Sequence, residues 1–265
     1  FRESTFYGLV HYSWQSEREW RFGIESNFQA GNVLKHRNIC LIGTGKIARH
    51  LAEKLASIAE YSVFIWGRNA AGARTISQET GIKLLTDISE IPASSIGILC
   101  VSDHAIQNVA HDLAGRFELI IHLSGTSSIE LLKDCSAHTA VMWPNQSFTP
   151  GNIINGNNVP LCLEASDEFA QIELTELAKN LGGPFAWLTG EQRRMLHLAA
   201  VGANNFVNHL MVLTEEWCLA NGLDFQFLMP MIEQSAQRFK TSLPQLTQTG
   251  PASRNDQSTI ALHVS

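Results

Sequence analysis

The sequence predicts an α/β fold, in which a parallel sheet is followed by an all-α region. Short apolar runs of strand length alternate with helical stretches between residues 38 and 165, and this alternation is typical of parallel strands joined by right-handed crossovers. Beyond that point the strand pattern stops and amphipathic stretches follow. We therefore expect a first domain at 38–165 and a helical domain at 166–265. Residues 1–37 mix aromatic and charged side chains without a sustained period, so they are interpreted as an N-terminal extension.

The predicted strands are short and apolar, as expected of strands that are covered on both faces. They are residues 38–43, 61–69, 94–103 and 118–125, with 159–166 as one more candidate. Helical stretches separate the strands, at 46–59, at 70–81 with Gly81 as the closing residue, and after Asp103.

After about residue 166 the sequence predicts helices and no further strands. The longest covers 189–222. It begins at Thr189 and Gln192, which are spaced as a capping box, and it ends at Gly222. The segment 149–158 is rich in turn residues and connects the two parts of the chain.

Composition narrows the possible function classes. With a net charge of −6 and no basic cluster, the chain is a poor partner for nucleic acids, and no apolar run reaches the roughly 18 residues of a membrane span. The cysteines form no CxxC pair, so we expect reduced, buried thiols in a cytoplasmic protein. Neither HExxH nor a Cys/His ligand spacing occurs, so no metal site is expected. The cysteines are Cys40, Cys100, Cys135, Cys162 and Cys218.

A glycine-rich turn joins the first strand to the first helix. It reads GTGKIA and fits the GxGxxA pattern in the strand–turn–helix context of dinucleotide binding. Gly43 permits the tight turn, Gly45 lets a pyrophosphate approach the backbone, and the helix N-terminus adds free N–H donors. The sequence thus predicts a Rossmann-type domain. The expected cofactor-binding residues of this turn are Gly43, Thr44, Gly45, Lys46 and Ile47.

The end of the second strand indicates which dinucleotide binds. NAD enzymes usually place an acidic residue there, about 20 residues further on, to bind the ribose 2′-hydroxyl. This strand instead ends in IWGRN, so Arg68 and Asn69 lie where a 2′-phosphate would be bound. Because a guanidinium fits a phosphate in bidentate geometry, we expect NADP as the cofactor. The alternative is that Arg68 is an ordinary surface residue.

Small polar residues follow two later strands. Val101, Ser102 and Asp103 end the strand at 94–103, and Ser124 ends the next one. The carboxyl ends of parallel strands line the ligand crevice of such sheets, so these residues are expected to contact the nicotinamide ribose or the substrate. Asp103 has an alternative role as a helix N-cap.

The stretch HLAAVGANNF carries three hydrogen-bonding side chains on a small, apolar helix. At about 100° per residue, His197 and Asn204 share one face, with Asn205 beside them. We predict that this face lines a cleft, with His197 as the acid or base and the asparagines binding substrate or nicotinamide. The alternative is a structural histidine, with asparagines that bond to neighbouring helices.

Four segments together resemble one family. They are the glycine loop, the GRN after the second strand, HLAAVGANNF, and GPASRNDQSTIALH at 250–263. They are similar to NADP oxidoreductases built from a Rossmann-like domain and a helical domain of unknown function, and more distantly to pyrroline-5-carboxylate reductase and the β-hydroxyacid dehydrogenases. The resemblance places GPASRND near the active cleft. There Arg254 would bind a substrate carboxylate, and Asp256 would hold Arg254 or cap the next helix.

The chain departs from these families at three points. Trp143 stands where the family usually has a histidine. Val201 stands where the β-hydroxyacid dehydrogenases carry a catalytic lysine, so that mechanism is not carried over and His197 is the available acid or base. The family also continues beyond Ser265, and a missing terminal helix would weaken packing or an oligomer interface.

Two hypotheses about function follow. The first is an NADP(H)-dependent oxidoreductase that moves hydride to or from a small carbonyl or imine substrate. An imine suits the absent lysine, because a protonated imine needs no strong acid at that position. The alternative is a non-catalytic NADP(H)-binding sensor or dimeric scaffold, which Trp143 and Val201 favour. Apolar faces in the helical half predict a homodimer formed through that domain.

Overall fold

The structure is a computed structural model that describes residues 36–148 and 159–264. The predicted connection at 149–158 and nearly all of the predicted N-terminal extension lie outside these residues. The chain divides into two compact units, of which the first ends at Ala199 and the second begins at Ala200.

The elements of the described residues are strands and helices in alternation, then helices alone. The strands are β1 (Arg37–Ile42), β2 (Tyr61–Trp66), β3 (Lys83–Leu84), β4 (Ile96–Leu99), β5 (Leu119–His122), β6 (His138–Pro144), β7 (Leu161–Ala165) and β8 (Phe185–Trp187). The α-helices are α1 (Lys46–Leu55), α2 (Ala70–Thr80), α3 (Ile106–Asp112), α4 (Glu168–Leu181), α5 (Gly190–Ala200), α6 (Val207–Ala220), α7 (Met229–Arg238), α8 (Pro244–Thr247) and α9 (Gln257–Val264).

These strands form one sheet in the order β3-β2-β1-β4-β5-β6-β7-β8. Neighbouring strands are parallel, except that β6 and β7 are antiparallel. The order turns back between β1 and β4, the kind of switch point at which open α/β sheets form their ligand crevice. The predicted α/β class, with a Rossmann-type parallel sheet and a helical C-terminal region, is confirmed. The sheet also contains β3, β6 and β8, which the strand pattern did not predict.

Side chains of the sheet alternate between two cores. Ile39 and Leu41 of β1 pack with α1, α2 and α4, whereas Cys40 and Ile42 pack with α3 on the other face. The five cysteines are free and buried, as expected. Because α4 packs on β6 and β7, and β8 pairs with β7, the first unit extends past residue 165, further than the loss of strand pattern indicated.

Helix ends follow the predicted capping residues. Gly81 closes α2 in the left-handed conformation, with φ at 77°. At the start of α5, the Gln192 N–H donates to Thr189 Oγ1 at 3.2 Å, and the Thr189 N–H donates to Gln192 Oε1 at 2.9 Å. This reciprocal pair is the predicted capping box, and it fixes where α5 leaves the sheet.

The predicted helix over 189–222 is not one continuous α-helix. A π-helix of 6 residues, Val201–Phe206, separates α5 from α6. Its wider turns break the spacing of about 100° per residue, so helical periodicity no longer places His197 and Asn204 on one face. Within the described part of the second unit, Cys218 is the one hydrophobic residue that is buried.

None of the helices in the described ranges has both the length and the apolar character needed to cross a membrane. Within the same ranges, no group of three or more His, Cys, Asp or Glu side chains could hold a metal ion.

Candidate functional site: the carboxyl ends of β1, β4 and β5

The turn after β1 is held close to the neighbouring strands. The Gly43 N–H donates to the Trp66 carbonyl at 2.8 Å, and Gly43 has a φ of 125°. A Cβ added at Gly43 would lie 2.3 Å from the carbonyl oxygen of Cys100. Both the backbone conformation and the close approach of the chain after β4 therefore require glycine at this position.

Gly45 has the opposite environment. A Cβ added there would meet no atom within 4 Å, so the backbone at Gly45 faces open space. Gly45 is the N-cap of α1 and provides no side-chain hydrogen bond to the helix. The N–H groups of the first turn, including those of Lys46 and Ile47, therefore have no side-chain cap. An exposed backbone at a bare helix N-terminus is a suitable cradle for a pyrophosphate.

Residues after β2 lie against the same turn. A Cβ added at Gly67 would approach Thr44 Cγ2 to 2.8 Å, and one added at Gly72 would approach Thr44 Oγ1 to 3.1 Å. Thr44 thus packs between Gly67, the glycine of the GRN segment, and Gly72, which the sequence pattern did not single out. Arg68 is exposed and forms no hydrogen bond or ion pair with another described residue, while Asn69 caps α2 through the Gly72 N–H at 3.1 Å.

Asp103 is part of a network at the ends of β4 and β5. The Ser124 hydroxyl donates to Asp103 Oδ2 at 2.6 Å, and the Thr126 hydroxyl donates to the same oxygen at 3.0 Å. The alternative role as a helix cap is not seen, because Ala105 is the N-cap of α3. Val101 is half-buried, and Ser102 is exposed and lies 3.2 Å from the His104 ring.

The loop at 124–127 is rigid by its own hydrogen bonds. Ser124 Oγ accepts the N–H groups of Thr126, at 3.1 Å, and Ser127, at 2.9 Å. The Ser124 N–H in turn donates to Nδ1 of His122 at 3.2 Å. The predicted site residue Ser124 is therefore the centre of an ordered turn that follows β5.

Two buried basic side chains support this loop, and the sequence analysis did not assign either of them. Arg193 of α5 has 0% exposure and donates to the carbonyls of Ser124 and Ser127, both at 2.8 Å, and to Glu164 Oε2 at 2.9 Å. His122 is also fully buried, and burial, followed by the charge of Arg193, lowers its pKa to about 4. No signal in the sequence marked Arg193, which stands beside Arg194 in the polar first turns of α5.

His197 lies on the other side of the same loop. Its ring is 5.4 Å from the Trp143 ring, centroid to centroid. A Cβ added at Gly125 would lie 2.5 Å from His197 Nδ1 and 2.8 Å from the indole of Trp143. Gly125 is therefore required by the close approach of two rings. His197 Nδ1 is buried and has no hydrogen-bond partner among the described residues.

The remaining predicted residues belong to the second unit. Asn204 and Asn205 are exposed in the π-helix, where Asn204 Nδ2 donates to Asn205 Oδ1 at 3.1 Å. Arg254 is exposed. Asp256 accepts the Thr259 N–H at 3.1 Å, so it caps α9, one of the two roles that were considered for it. The hydrogen bond from the Ser258 hydroxyl is the main cause of the lowered pKa of Asp256.

The sheet order, the glycine turn and the bare helix N-terminus define a dinucleotide-binding protein of the Rossmann type. Residues 38–123 match the family model described as NADP oxidoreductase, coenzyme F420-dependent. Residues 159–265 match a domain of unknown function, DUF2520. The predicted resemblance to NADP oxidoreductases with a helical domain of unknown function is therefore confirmed.

Solved structures agree with this assignment. A putative NADP oxidoreductase from Bacteroides fragilis is 28% identical over 87% of this chain and 91% of that chain, with a TM-score of 0.75. A protein from Thermotoga maritima is 25% identical over 85% and 87% of the two chains, with a TM-score of 0.67. A pyrroline-5-carboxylate reductase from Coxiella burnetii has a similar fold, at 18% identity over 87% and 91% and a TM-score of 0.62. No curated protein sequence matches the chain.

Proposed function

We propose that the protein is an NADP(H)-dependent oxidoreductase that transfers hydride to or from a small carbonyl or imine compound. The observation that carries the proposal is the cradle at Gly45, where open backbone and the uncapped N-terminus of α1 fit a pyrophosphate. When bound, the nicotinamide supplies or accepts the hydride. The residues of this chain bind the dinucleotide, orient it and exchange the accompanying proton.

The preference for NADP over NAD rests on Arg68. Its guanidinium is exposed and unpaired among the described residues, and it follows β2 at the position where NAD enzymes carry an acidic side chain. A 2′-phosphate would find there a fixed positive charge with several N–H donors. Asn69, the next residue, and Thr44, which packs between Gly67 and Gly72, complete a polar surface for the phosphate.

We assign to His197 the transfer of the proton that accompanies the hydride. This imidazole lies against the loop at 124–127, whose Ser124 hydroxyl is already ordered by Asp103. In a Rossmann-type sheet the nicotinamide end of the dinucleotide is expected beside the strands past the switch point. We therefore place the reacting carbonyl or imine carbon near this loop, with His197 as the group that gives or takes the proton.

The cofactor half of the proposal is tested by titration with NADPH and with NADH, following energy transfer from the six tryptophans to the nicotinamide. Arg68→Ala should weaken NADPH binding roughly 10- to 100-fold, because a charged hydrogen-bond partner of the phosphate is lost. NADH binding should be unchanged. Arg74→Ala, an exposed arginine on α2, is the matched control and should leave both affinities unaltered. Failure of the wild type to bind either dinucleotide overturns the proposal.

A second candidate function is NADP(H) binding without catalysis. Trp143, where the family usually has a histidine, packs its indole against the His197 ring and so occupies space on that side of the site. A panel of carbonyl and imine compounds separates the two candidates. NADPH oxidation that depends on a compound and is lost in His197→Asn supports the oxidoreductase. Tight NADPH binding with no turnover across the panel supports the sensor or scaffold.

The partner proposed for the helical unit is a second copy of this chain. Many large hydrophobic side chains of the second unit are exposed, among them Trp217, at 62%, and Phe227, at 85%. A unit of this size gains little stability from its own interior when its apolar residues face outward. A homodimer through this unit would bury them.

A further inference from the structure

Arg193 is the one fully buried charged side chain among the described residues, and the proposed reaction does not use it. Burial of a guanidinium is costly unless its N–H groups are well paired, and a hydrophobic residue often serves stability equally well. Arg193 therefore needs an explanation other than core packing.

The partners of Arg193 show what it holds. One terminal nitrogen donates to the Ser124 carbonyl, and the other donates to the Ser127 carbonyl and to Glu164 of β7. The guanidinium thus spans the two ends of the loop at 124–127 and ties that loop to the sheet. A lysine could not reproduce this, because an ammonium is a point charge without the planar fork.

Arg193 lies on the same helix as His197. The two residues are four apart on α5, so their side chains project from the same face of the helix. Arg193 holds one end of the loop through Ser124, and His197 contacts the same loop at Gly125. We therefore expect a change in the anchor at Arg193 to alter the distance between the His197 imidazole and the Ser124 hydroxyl.

From this geometry we infer that Arg193 is a positioning residue, which sets the placement of the Ser124 hydroxyl and the His197 imidazole relative to each other without touching cofactor or substrate. The inference rests on the proposed function, because it concerns the reacting end of the same site. It assigns a task to a residue for which neither the sequence pattern nor the glycine turn gives a role.

Two variants of the 265-residue chain test this inference. Arg193→Lys keeps the charge beside Glu164 but loses the span between the two carbonyls. Arg193→Met removes the charge as well. Arg194→Met, an exposed neighbour on the same helix, is the matched control. The probes are the His197 Cε1–H resonance in the free protein, assigned by its absence in His197→Asn, and the nicotinamide emission of bound NADPH.

We expect both Arg193 variants to shift the His197 resonance and the NADPH emission maximum, while the NADPH affinity stays within about threefold of wild type, because the glycine turn and Arg68 bind the other parts of the dinucleotide. Arg194→Met should change neither signal.

Folded Arg193 variants with both signals at their wild-type positions overturn the inference. If Arg193→Met does not fold, Arg193→Lys decides. If the wild type binds no NADPH, the proposed function fails, and the His197 resonance alone decides whether Arg193 positions the imidazole.

Discussion

At the scale of single residues, the end of β5 holds a neutral base beside a permanent cation. His122 accepts the Ser124 N–H through Nδ1, which places the ring proton on Nε2. Burial is the main reason that its pKa falls from the ordinary value of 6.5 to about 4, and the positive charge of Arg193 acts in the same direction. His122 therefore stays uncharged at neutral pH, and Arg193 is left with Glu164 as its ionic partner.

This arrangement predicts a pH dependence of stability. Between pH 6.5 and about 4 the unfolded chain protonates His122 while the folded chain does not. The contribution of His122 to the free energy of unfolding is therefore complete above pH 6.5. It falls by about 1.4 kcal/mol per pH unit as the pH is lowered from 6.5 towards 4. His122→Asn keeps an acceptor for the Ser124 N–H and should flatten that part of the profile. Urea unfolding at a series of pH values measures it.

The control for this prediction is His111→Asn, which changes an exposed histidine on α3. It should leave the wild-type slope intact. Equal slopes for wild type and His122→Asn would show that His122 is not the group responsible.

At the scale of elements, the glycine turn combines two positions with different tasks. Gly43 is fixed by the chain around it, since any side chain there meets the Cys100 carbonyl. Gly45 has an ordinary extended conformation, with φ at −78° and ψ at −177°, and open space in front of it. The first glycine therefore serves the fold, whereas the second keeps the backbone accessible to a ligand.

This difference predicts opposite effects of the same substitution. Gly43→Ala should lower the free energy of unfolding by roughly 3 kcal/mol or more, through backbone strain and a steric clash. Gly45→Ala should change stability by no more than about 0.5 kcal/mol but weaken NADPH binding at least about tenfold, because a methyl group keeps the pyrophosphate from the backbone. Urea unfolding and NADPH titration of both variants are the measurements. If Gly45→Ala binds NADPH as tightly as the wild type does, the backbone at Gly45 is not part of the dinucleotide site.

An element can be predicted from the sequence when the residues that determine it lie close together along the chain. The capping box at Thr189 and the cap at Gly81 were predicted because their hydrogen bonds join residues close in sequence. The glycine turn was predicted because its pattern lies within six consecutive residues. β3 and β8 have 2 and 3 residues, too few for a strand pattern to appear. The π-helix at Val201–Phe206 leaves no mark in a helical period. Arg193 reaches carbonyls 66 and 69 residues away, a connection that only the folded chain creates.

At the scale of the whole molecule, the two units differ in how they bury apolar surface. The first fills a core on each face of the sheet. The second leaves a line of large side chains exposed along α6, with Leu210 at 56%, Leu213 at 47% and Trp217 at 62% exposure. Their spacing of three and four residues puts them on one side of the helix. Such a stripe on a helix is typical of a surface that packs against another.

The resulting prediction is that the protein is a homodimer whose contact includes this stripe on α6. Light scattering after size exclusion should give twice the 29.3 kDa of the chain. Leu213→Glu places a charge in the middle of the stripe and should shift the population to monomers, because an unpaired charge is costly in an apolar contact. Glu215→Gln, on the opposite side of α6, should leave the dimer intact. Since Leu213 lies outside the dinucleotide cradle, NADPH affinity in the Leu213→Glu monomer shows whether a single chain binds the cofactor without its partner. A wild-type mass equal to one chain would contradict the dimer and leave the exposed stripe to another partner.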